Sequence, residues 1–219
     1  MKRKLLLTSQ GLQPELKETF LSLLTVPAKE VRVAFITTAA YGDDKNPTWL
    51  EVYRQQLRDY GITQIEDLDM RGKKYKRGDK SLQDTDIIFV NGGNTFFLLK
   101  WVKKSGFENV IKEHISQGKL YIGISAGSYI TCPTIEQATW EHQDRNRYEV
   151  TDLTGLNLVP FLITAHYREE YRPIIEKAAE TTKYPIIALI DTQAVLVEGD
   201  VWKIVGKGKK LVYNQNDEK

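Results

Sequence analysis

Short runs of apolar residues alternate with longer amphipathic stretches along most of the chain. The short runs are apolar throughout, which is typical of strands buried on both faces of a sheet. The longer stretches place apolar residues three and four positions apart, as on one face of a helix. Strands are predicted at residues 5–8, 31–38, 62–68, 86–90 and 120–124, and helices at residues 14–26, 48–60, 95–104 and 108–117.

The pattern changes in the second half of the chain. Residues 131–160 are polar without a clear period, which predicts a long loop, and loops of that length in compact domains are usually functional. A helix is predicted at residues 169–182. Short strands are predicted at residues 185–190, 194–197 and 201–205, the last two as a hairpin.

The alternation of buried strands with amphipathic helices predicts an α/β fold. Three layers are expected, α/β/α, with a mainly parallel central sheet. No repeat, low-complexity segment or linker divides the 219 residues, so one domain over residues 1–219 is expected. Disorder is expected only in about the last six residues.

Composition and charge exclude several classes of protein. The chain is 41% hydrophobic and 27% charged, which excludes a disordered chain and a coiled coil. The 31 basic residues against 29 acidic ones give a net charge of +2, so nothing demands a nucleic acid or an anionic membrane as partner. The apolar runs are shorter than the ~20 residues of a membrane span. The N-terminal run is shorter than the roughly 7–15 residues of a signal peptide's apolar region. A cytoplasmic protein is predicted.

The strongest chemical signal is the segment Gly123-Ile124-Ser125-Ala126-Gly127, which matches the pattern G-x-S-x-G. It follows a predicted strand and precedes a segment that can form a helix, as the nucleophile turn of serine hydrolases does. Small residues on either side let the chain reverse, so that the Ser125 hydroxyl stands at a helix N-terminus. The Ala126 N–H can then point at a developing oxyanion. The alternative is an ordinary strand-to-helix turn.

A nucleophilic serine needs a base, and the chain has three histidines. His166 follows a short strand-like run and is expected at a strand end, where the catalytic residues of α/β sheets collect. It is the favoured base, and His142, in the polar loop, is the second candidate. His114 lies among charged neighbours in a predicted helix and is expected on its solvated face.

The segment Asn91-Gly92-Gly93-Asn94 ends one predicted strand and opens a helix. Two glycines allow the backbone to approach a ligand closely, and the N–H groups there favour an anion. This segment is therefore a candidate second source of oxyanion donors for Ser125. An ordinary turn with Asn94 as helix N-cap explains the local pattern equally well.

Two other features carry less chemistry. The basic residues between positions 71 and 80 predict a solvated loop rather than a nucleic-acid site. Cys132 is the single cysteine, so it has no partner for a disulfide or a redox pair. Neither the histidines nor Cys132 show the spacing of metal ligands, so no metal and no cofactor are expected.

Taken together, these motifs resemble the dipeptidase E and cyanophycinase family of serine peptidases. The resemblance is carried by residues 87–99 (IIFVNGGNTFFLL), 121–128 (YIGISAGS), 132–135 (CPTI) and 164–167 (TAHY), in this order. The combination of GGNTF with GxSAGS is much more specific than either motif alone. The resemblance implies the fold of class I glutamine amidotransferases, with a serine in place of their cysteine.

The resemblance also implies roles for individual residues. Ser125 would be the nucleophile and His166 the base, with oxyanion N–H groups from Gly93 and Ala126 and with Asn94 beside the substrate. The family's acid is expected in the segment after residues 132–135, where Trp140 stands. Glu141 is the nearest carboxylate and is the predicted acid.

Glu136 and Asp144 are the rival carboxylates for the role of the acid. The implied substrates are small peptides with an N-terminal aspartate or a β-linked aspartyl group. Arg145, Arg147 and Arg168 are candidates for binding that carboxylate.

Two other functions remain open at the level of the sequence. One is an α/β-hydrolase-type esterase, which shares the turn and the order of catalytic residues but whose HGGG-type oxyanion motif is absent here. The other is a binding protein that kept the scaffold and lost the acid. The oligomeric state is left open.

Overall fold

The computed structural model describes residues 2–214 of the chain. The expected disorder of about the last six residues concerns positions that lie almost entirely outside this range. The helices are α1 (Lys17–Ser22), α2 (Leu50–Asp59), α3 (Thr95–Ser105), α4 (Phe107–Ser116), α5 (Ala126–Tyr129) and α6 (Arg172–Ala179). The strands are β1 (Lys4–Thr8), β2 (Arg32–Ile36), β3 (Gln64–Leu68), β4 (Ile87–Val90), β5 (Leu120–Ile124), β6 (Leu162–Thr164), β7 (Ile186–Ala188), β8 (Gln193–Glu198), β9 (Val201–Gly206) and β10 (Leu211–Tyr213).

Seven strands form the central sheet, in the order β3-β2-β4-β5-β1-β8-β9. The first five are parallel to one another, and β8 and β9 add to the β1 edge as an antiparallel hairpin. Helices cover the sheet on both sides. The three-layer α/β/α fold with a mainly parallel sheet is therefore confirmed, as is the terminal hairpin.

The buried strands supply both faces of the core. Along β1, Leu5 and Leu7 pack into one apolar cluster and Leu6 packs into the other, on the opposite face of the sheet. Alternate side chains of a strand point to opposite faces, so a strand that is apolar at every position is covered on both. This burial places β1 in the interior of the sheet, with its carboxyl end at the edge where ligands bind in α/β folds.

A second sheet was not predicted. It has three strands in the order β10-β7-β6, with β6 and β7 parallel and β10 antiparallel to β7. Residues 185–190 were expected as a strand, but nothing in the local pattern shows that this strand leaves the main sheet. The pairing is between strands more than twenty residues apart, which a local periodicity does not record.

The first helix is shorter than the 14–26 segment that the spacing predicts. A single 3-10 turn at Pro14–Leu16 leads into α1, and Leu23 ends the helix. Pro27 disfavours helical backbone at Val26, which opposes a helix that runs to the predicted end. The predicted loop at 131–160 is confirmed apart from a 3-10 turn at Glu136–Thr139 and one bridge between Thr134 and Thr154.

His114 contradicts its predicted place on a solvated helix face. It is 4% exposed and lies on the apolar face of α4, four residues after Val110 and three after Ile111. Its Nε2 is 3.0 Å from the Leu120 carbonyl oxygen at the start of β5. Burial lowers the pKa of His114 to about 4, so the imidazole is neutral inside the protein.

No helix within residues 2–214 is long and apolar enough to cross a membrane.

Replacing His114 should reduce the sensitivity of the fold to acid. The unfolded chain takes up the proton near pH 6.5, whereas the folded chain takes it up only near pH 4. The free energy of unfolding should therefore fall as the pH drops through this window, by up to about 3 kcal/mol from this group. We expect the free energy of unfolding, measured in urea at pH 7 and at pH 4.5, to fall less between the two pH values in His114→Gln than in the wild type. An equal fall in the free energy of unfolding for the two proteins would contradict the buried neutral imidazole.

Candidate active site

Strand β5 leads directly into Ser125, whose backbone has φ 47° and ψ −107°. A positive φ in a residue with a side chain costs free energy and persists only where the surroundings enforce it. Here the Ser125 N–H donates to the Thr8 carbonyl at 3.0 Å. The Ser125 carbonyl in turn accepts the N–H groups of Ser128 and Tyr129 at 2.8 and 2.9 Å. Ser125 is thus fixed between a strand and the first turn of α5, and it is half-buried.

The two glycines of the motif are required by close backbone approaches. A Cβ on Gly123 would collide with the carbonyl of Gly127, and a Cβ on Gly127 would collide with the Val90 carbonyl at the end of β4. These contacts press α5 against the carboxyl ends of β4 and β5. The G-x-S-x-G spacing therefore reflects packing as well as the exposure of Ser125.

The loop after β4 lies directly against Ser125. A Cβ on Gly92 would stand 3.3 Å from the Cβ of Ser125. Gly93 has φ 125°, and a Cβ there would collide with the Ala39 carbonyl. Within residues 2–214 the Gly93 N–H has no backbone acceptor. Gly93, in the loop after β4, and Ala126, the first residue of α5, therefore carry N–H groups close to Ser125.

The Asn94 side chain is engaged within the protein. It is fully buried, and its Oδ1 accepts the Phe97 N–H at 3.0 Å as the N-cap of α3. Its Nδ2 donates to Asp43 Oδ1 at 3.3 Å and to the Arg145 carbonyl at 3.1 Å. Both ends of the amide are used, so the observed role of Asn94 is to cap α3 and to hold the long loop against it. Contact of Asn94 with a substrate remains a prediction.

His166 and Asp191 form a hydrogen-bonded pair at the carboxyl ends of β6 and β7. The His166 Nδ1 is 2.7 Å from Asp191 Oδ1. The two strands are parallel neighbours, and His166 follows β6 by two residues while Asp191 follows β7 by three. The contact with His166 holds the pKa of the Asp191 carboxyl below its usual value, against the opposing effect of burial. The His166 side chain is 44% exposed, so its free Nε2 can meet a ligand.

Asp191 therefore occupies the place at His166 that was predicted for Glu141. Glu141 is exposed and makes no hydrogen bond to His166, and Glu136 is half-buried at the start of a 3-10 turn. The position where the family's acid was expected is taken by Trp140, which packs against the apolar core. The sequence reasoning missed Asp191 because its approach to His166 depends on the pairing of β6 with β7.

Asp144, the other rival, lies at the N-terminus of α3. Its Oδ2 accepts the Thr95 N–H at 2.8 Å. Burial raises the pKa of the Asp144 carboxyl, while the nearby His166 opposes that rise. Asp144 therefore lies near His166 but is bonded to the helix rather than to the imidazole.

The end of β1 supports the His166–Asp191 pair, and sequence reasoning did not identify it. Ser9 is fully buried; its Oγ accepts the His166 backbone N–H at 2.7 Å and lies 3.1 Å from Asp191 Oδ1. The Gln10 amide nitrogen, in the orientation that satisfies both ends of the amide, donates to Asp191 Oδ2 at 2.7 Å. The sequence pattern that could have identified these residues is the polar pair Ser9-Gln10 directly after an apolar strand.

The second candidate base, His142, is placed differently from His166. Its ring stacks on Tyr171 with centroids 4.2 Å apart, and neither ring nitrogen has a hydrogen-bond partner in the described part of the chain. Burial lowers its pKa. Among residues 2–214, no carboxylate forms a hydrogen bond with its ring.

The candidate arginines lie at the surface. Arg147 is 3.7 Å from Asp43, and Arg168 is 3.8 Å from Glu170. Arg145 is exposed. Arg168 is two positions after His166 and contributes to the lowered pKa of Asp191. Among residues 2–214, no group of three or more histidine, cysteine, aspartate or glutamate side chains could hold a metal ion.

Comparison with known proteins places this chain in a family. The model of Peptidase family S51 matches residues 5–205. An uncharacterized peptidase of Listeria monocytogenes is 33% identical over 76% of this chain and 82% of its own length. A peptidase E of Shewanella denitrificans is 30% identical over 62% of this chain and 60% of its own length.

Two solved structures share the fold. A crystal structure of a candidate peptidase E protein from Listeria monocytogenes has a TM-score of 0.80 at 28% identity, covering 95% of this chain and all of its own. A peptidase from an acI-B1 Actinobacterium has a TM-score of 0.69 at 21% identity, covering 99% of this chain and 96% of its own. The second likeness supports the fold alone.

Gly127→Ala should destabilise the protein although alanine is the better helix former. Inside a helix, alanine is favoured over glycine by roughly 1 kcal/mol. The collision with the Val90 carbonyl should outweigh this gain, because backbone at the end of a buried strand does not move aside readily. We expect a net loss of about 1–3 kcal/mol in urea unfolding. A stabilised variant would contradict the close packing of α5 on β4.

Proposed function

Because the chain belongs to Peptidase family S51 and is a serine peptidase of the peptidase E type, we propose that Ser125, His166 and Asp191 carry out its reaction on small peptides. The observation that carries this assignment is the 2.7 Å contact between His166 Nδ1 and Asp191. A carboxylate on Nδ1 fixes the tautomer of the imidazole and stabilises the imidazolium. It leaves Nε2 as the nitrogen that exchanges a proton with the nucleophile.

The reaction follows from these positions. The Ser125 hydroxyl attacks the scissile carbonyl carbon while His166 Nε2 takes its proton. The N–H groups of Gly93 and Ala126 stabilise the oxyanion that develops on the carbonyl oxygen. His166 then gives the proton to the leaving amine, and the C–N bond breaks to leave an acyl group on Ser125. A water molecule, activated by His166, then hydrolyses the acyl-serine. This step releases the carboxylic acid product and restores the Ser125 hydroxyl.

Two consecutive residues at the end of β1 support the proximity of nucleophile and base. Thr8 accepts the Ser125 N–H through its carbonyl, and the next residue, Ser9, accepts the His166 N–H through its hydroxyl. Since Thr8 and Ser9 are consecutive, the backbone N–H groups of Ser125 and His166 are bonded to neighbouring residues of the chain.

The two alternative functions have less support. The family assignment argues for a peptidase rather than for an α/β-hydrolase-type esterase. A binding protein with a degraded triad was suggested by the missing acid after residues 132–135. That reason no longer applies, because Asp191 supplies His166 with a carboxylate.

The roles can be tested with single variants on dipeptide substrates. Ser125→Ala should abolish turnover and labelling by a fluorophosphonate. Asp191→Asn should lower kcat by about a thousandfold or more, because the neutral amide no longer fixes the tautomer or stabilises the imidazolium. Glu141→Gln is the matched control and should stay within about twofold of the wild type. A strong loss in Glu141→Gln with full activity in Asp191→Asn would move the acid to Glu141.

For the substrate, we expect an acidic N-terminal residue to be preferred over neutral or basic ones. Arg168 supports this expectation, because it lies beside the catalytic pair and its side chain is 72% exposed. Arginine can bind a carboxylate through two parallel hydrogen bonds. In a panel of dipeptides, N-terminal aspartate should give a kcat/KM at least about tenfold above alanine or lysine.

The arginine can be tested separately from the mechanism. Arg168→Gln should reduce the preference for aspartate, and Arg58→Gln, an exposed arginine on α2, should leave it unchanged. A flat profile in the wild type would remove the aspartyl substrate while leaving the serine mechanism in place.

A further inference from the structure

Ser9 brings the base and the acid together through one buried hydroxyl. It is the first residue after β1 and has no exposed surface. Its Oγ lies 2.7 Å from the His166 nitrogen, 3.1 Å from Asp191 Oδ1 and 3.3 Å from the Leu189 carbonyl oxygen. All three neighbours belong to the segments that follow β6 and β7. In the described part of the chain, no other residue forms hydrogen bonds with both members of the catalytic pair.

The chemistry of a hydroxyl decides how these contacts are used. A serine hydroxyl has one proton to donate and two lone pairs to accept with. One lone pair takes the His166 N–H. The single proton can go to Asp191 or to the Leu189 carbonyl, and both distance and charge favour the carboxylate. Ser9 therefore joins the backbone of the base to the side chain of the acid.

His166 needs this support because of its backbone conformation. Its φ is 56°, in the left-handed region that residues with a side chain rarely adopt. Such a conformation persists only where the surroundings enforce it. The bond from the His166 N–H to Ser9 Oγ is one constraint, and the contact with Asp191 is another. Ser9 contributes to both.

We propose that Ser9 is a positioning residue for catalysis, which holds His166 and Asp191 in the geometry that directs Nε2 at Ser125. The inference rests on the proposed function of these three residues. Loss of the hydroxyl should let the carboxylate and the imidazole move by a fraction of an ångström. Misplacement on this scale is enough to slow a reaction strongly.

The strand itself does not depend on the hydroxyl. The Ser9 N–H donates to the Gln193 carbonyl at 3.1 Å, and β1 pairs with β5 and β8 through its backbone. Ser9→Ala keeps these bonds and adds no volume, so the variant should fold. The effect of the hydroxyl on catalysis can therefore be measured apart from its effect on the fold.

The first experiment compares Ser9→Ala with Ser105→Ala. Ser105 is 1% exposed and lies at the far end of α3. Its hydroxyl accepts the Phe107 N–H and donates to the Val102 carbonyl. We expect Ser9→Ala to lower kcat about ten- to a hundredfold with KM nearly unchanged, and Ser105→Ala to leave both constants unchanged. Values within twofold of the wild type in Ser9→Ala would overturn the proposal.

The second experiment tests whether Ser9 acts through Asp191. If it does, Ser9→Ala should cost little more in the Asp191→Asn background, where the acid is already lost. The downfield proton resonance of the His166–Asp191 hydrogen bond should also shift or broaden in Ser9→Ala. The same loss in both backgrounds together with an unchanged resonance would overturn the proposal and leave Ser9 a structural residue.

These outcomes separate this inference from the proposed function. Full activity in Ser125→Ala or Asp191→Asn would refute the catalytic assignment itself. Loss of activity in those variants together with normal turnover in Ser9→Ala would refute only the role of Ser9.

Discussion

The site depends on where the carboxyl end of β1 lies. This strand is inside the central sheet, between β5 on one side and β8 on the other, and Ser9, the residue after it, bonds to the segments that follow β6 and β7 of the second sheet. The carbonyl of Thr8 fixes the strained backbone of Ser125, and the hydroxyl of Ser9 fixes His166 and Asp191. Two consecutive residues thus connect all three members of the proposed triad. The apolar run of β1 buries the strand on both faces and gives this connection its rigidity.

The parts of the fold that could be predicted are those encoded locally. The apolar strands, the helices between them and the turn at Ser125 each leave a pattern within ten or so residues. The partner of His166 leaves no such pattern, because Asp191 reaches it only after β6 pairs with β7. Ser9 was hidden for the same reason, since it lies 157 positions from His166. His114 was wrongly predicted to be exposed because it has charged neighbours in the sequence. It lies on the buried face of α4 that includes Val110 and Ile111.

Contacts with α3 hold the long loop, residues 131–160, in place. Asn94 holds the loop by the Arg145 carbonyl, Asp144 accepts the first N–H of α3, and Tyr148 packs on Phe97 and donates to the Gly42 carbonyl. Tyr129 connects the other side, since its hydroxyl donates to Gln143 and accepts the Ala165 N–H. The loop is therefore fixed to α3, α5 and β6, the three elements that surround the site. Recognition by a loop so held needs little ordering on binding.

The division of the strands into two sheets has a mechanical consequence. Ser125, the proposed nucleophile, follows a strand of the large sheet, whereas His166 and Asp191, the proposed base and acid, both follow strands of the small one. A relative displacement of the sheets would change the gap between Ser125 and His166, and it would also strain the bonds from Ser9, at the end of β1 of the large sheet, to His166 and Asp191. In the proposed mechanism the approach of His166 to Ser125 depends on how the two sheets pack, so substitutions in the apolar cluster that both sheets share should tune the reaction at a distance while every reacting side chain stays intact.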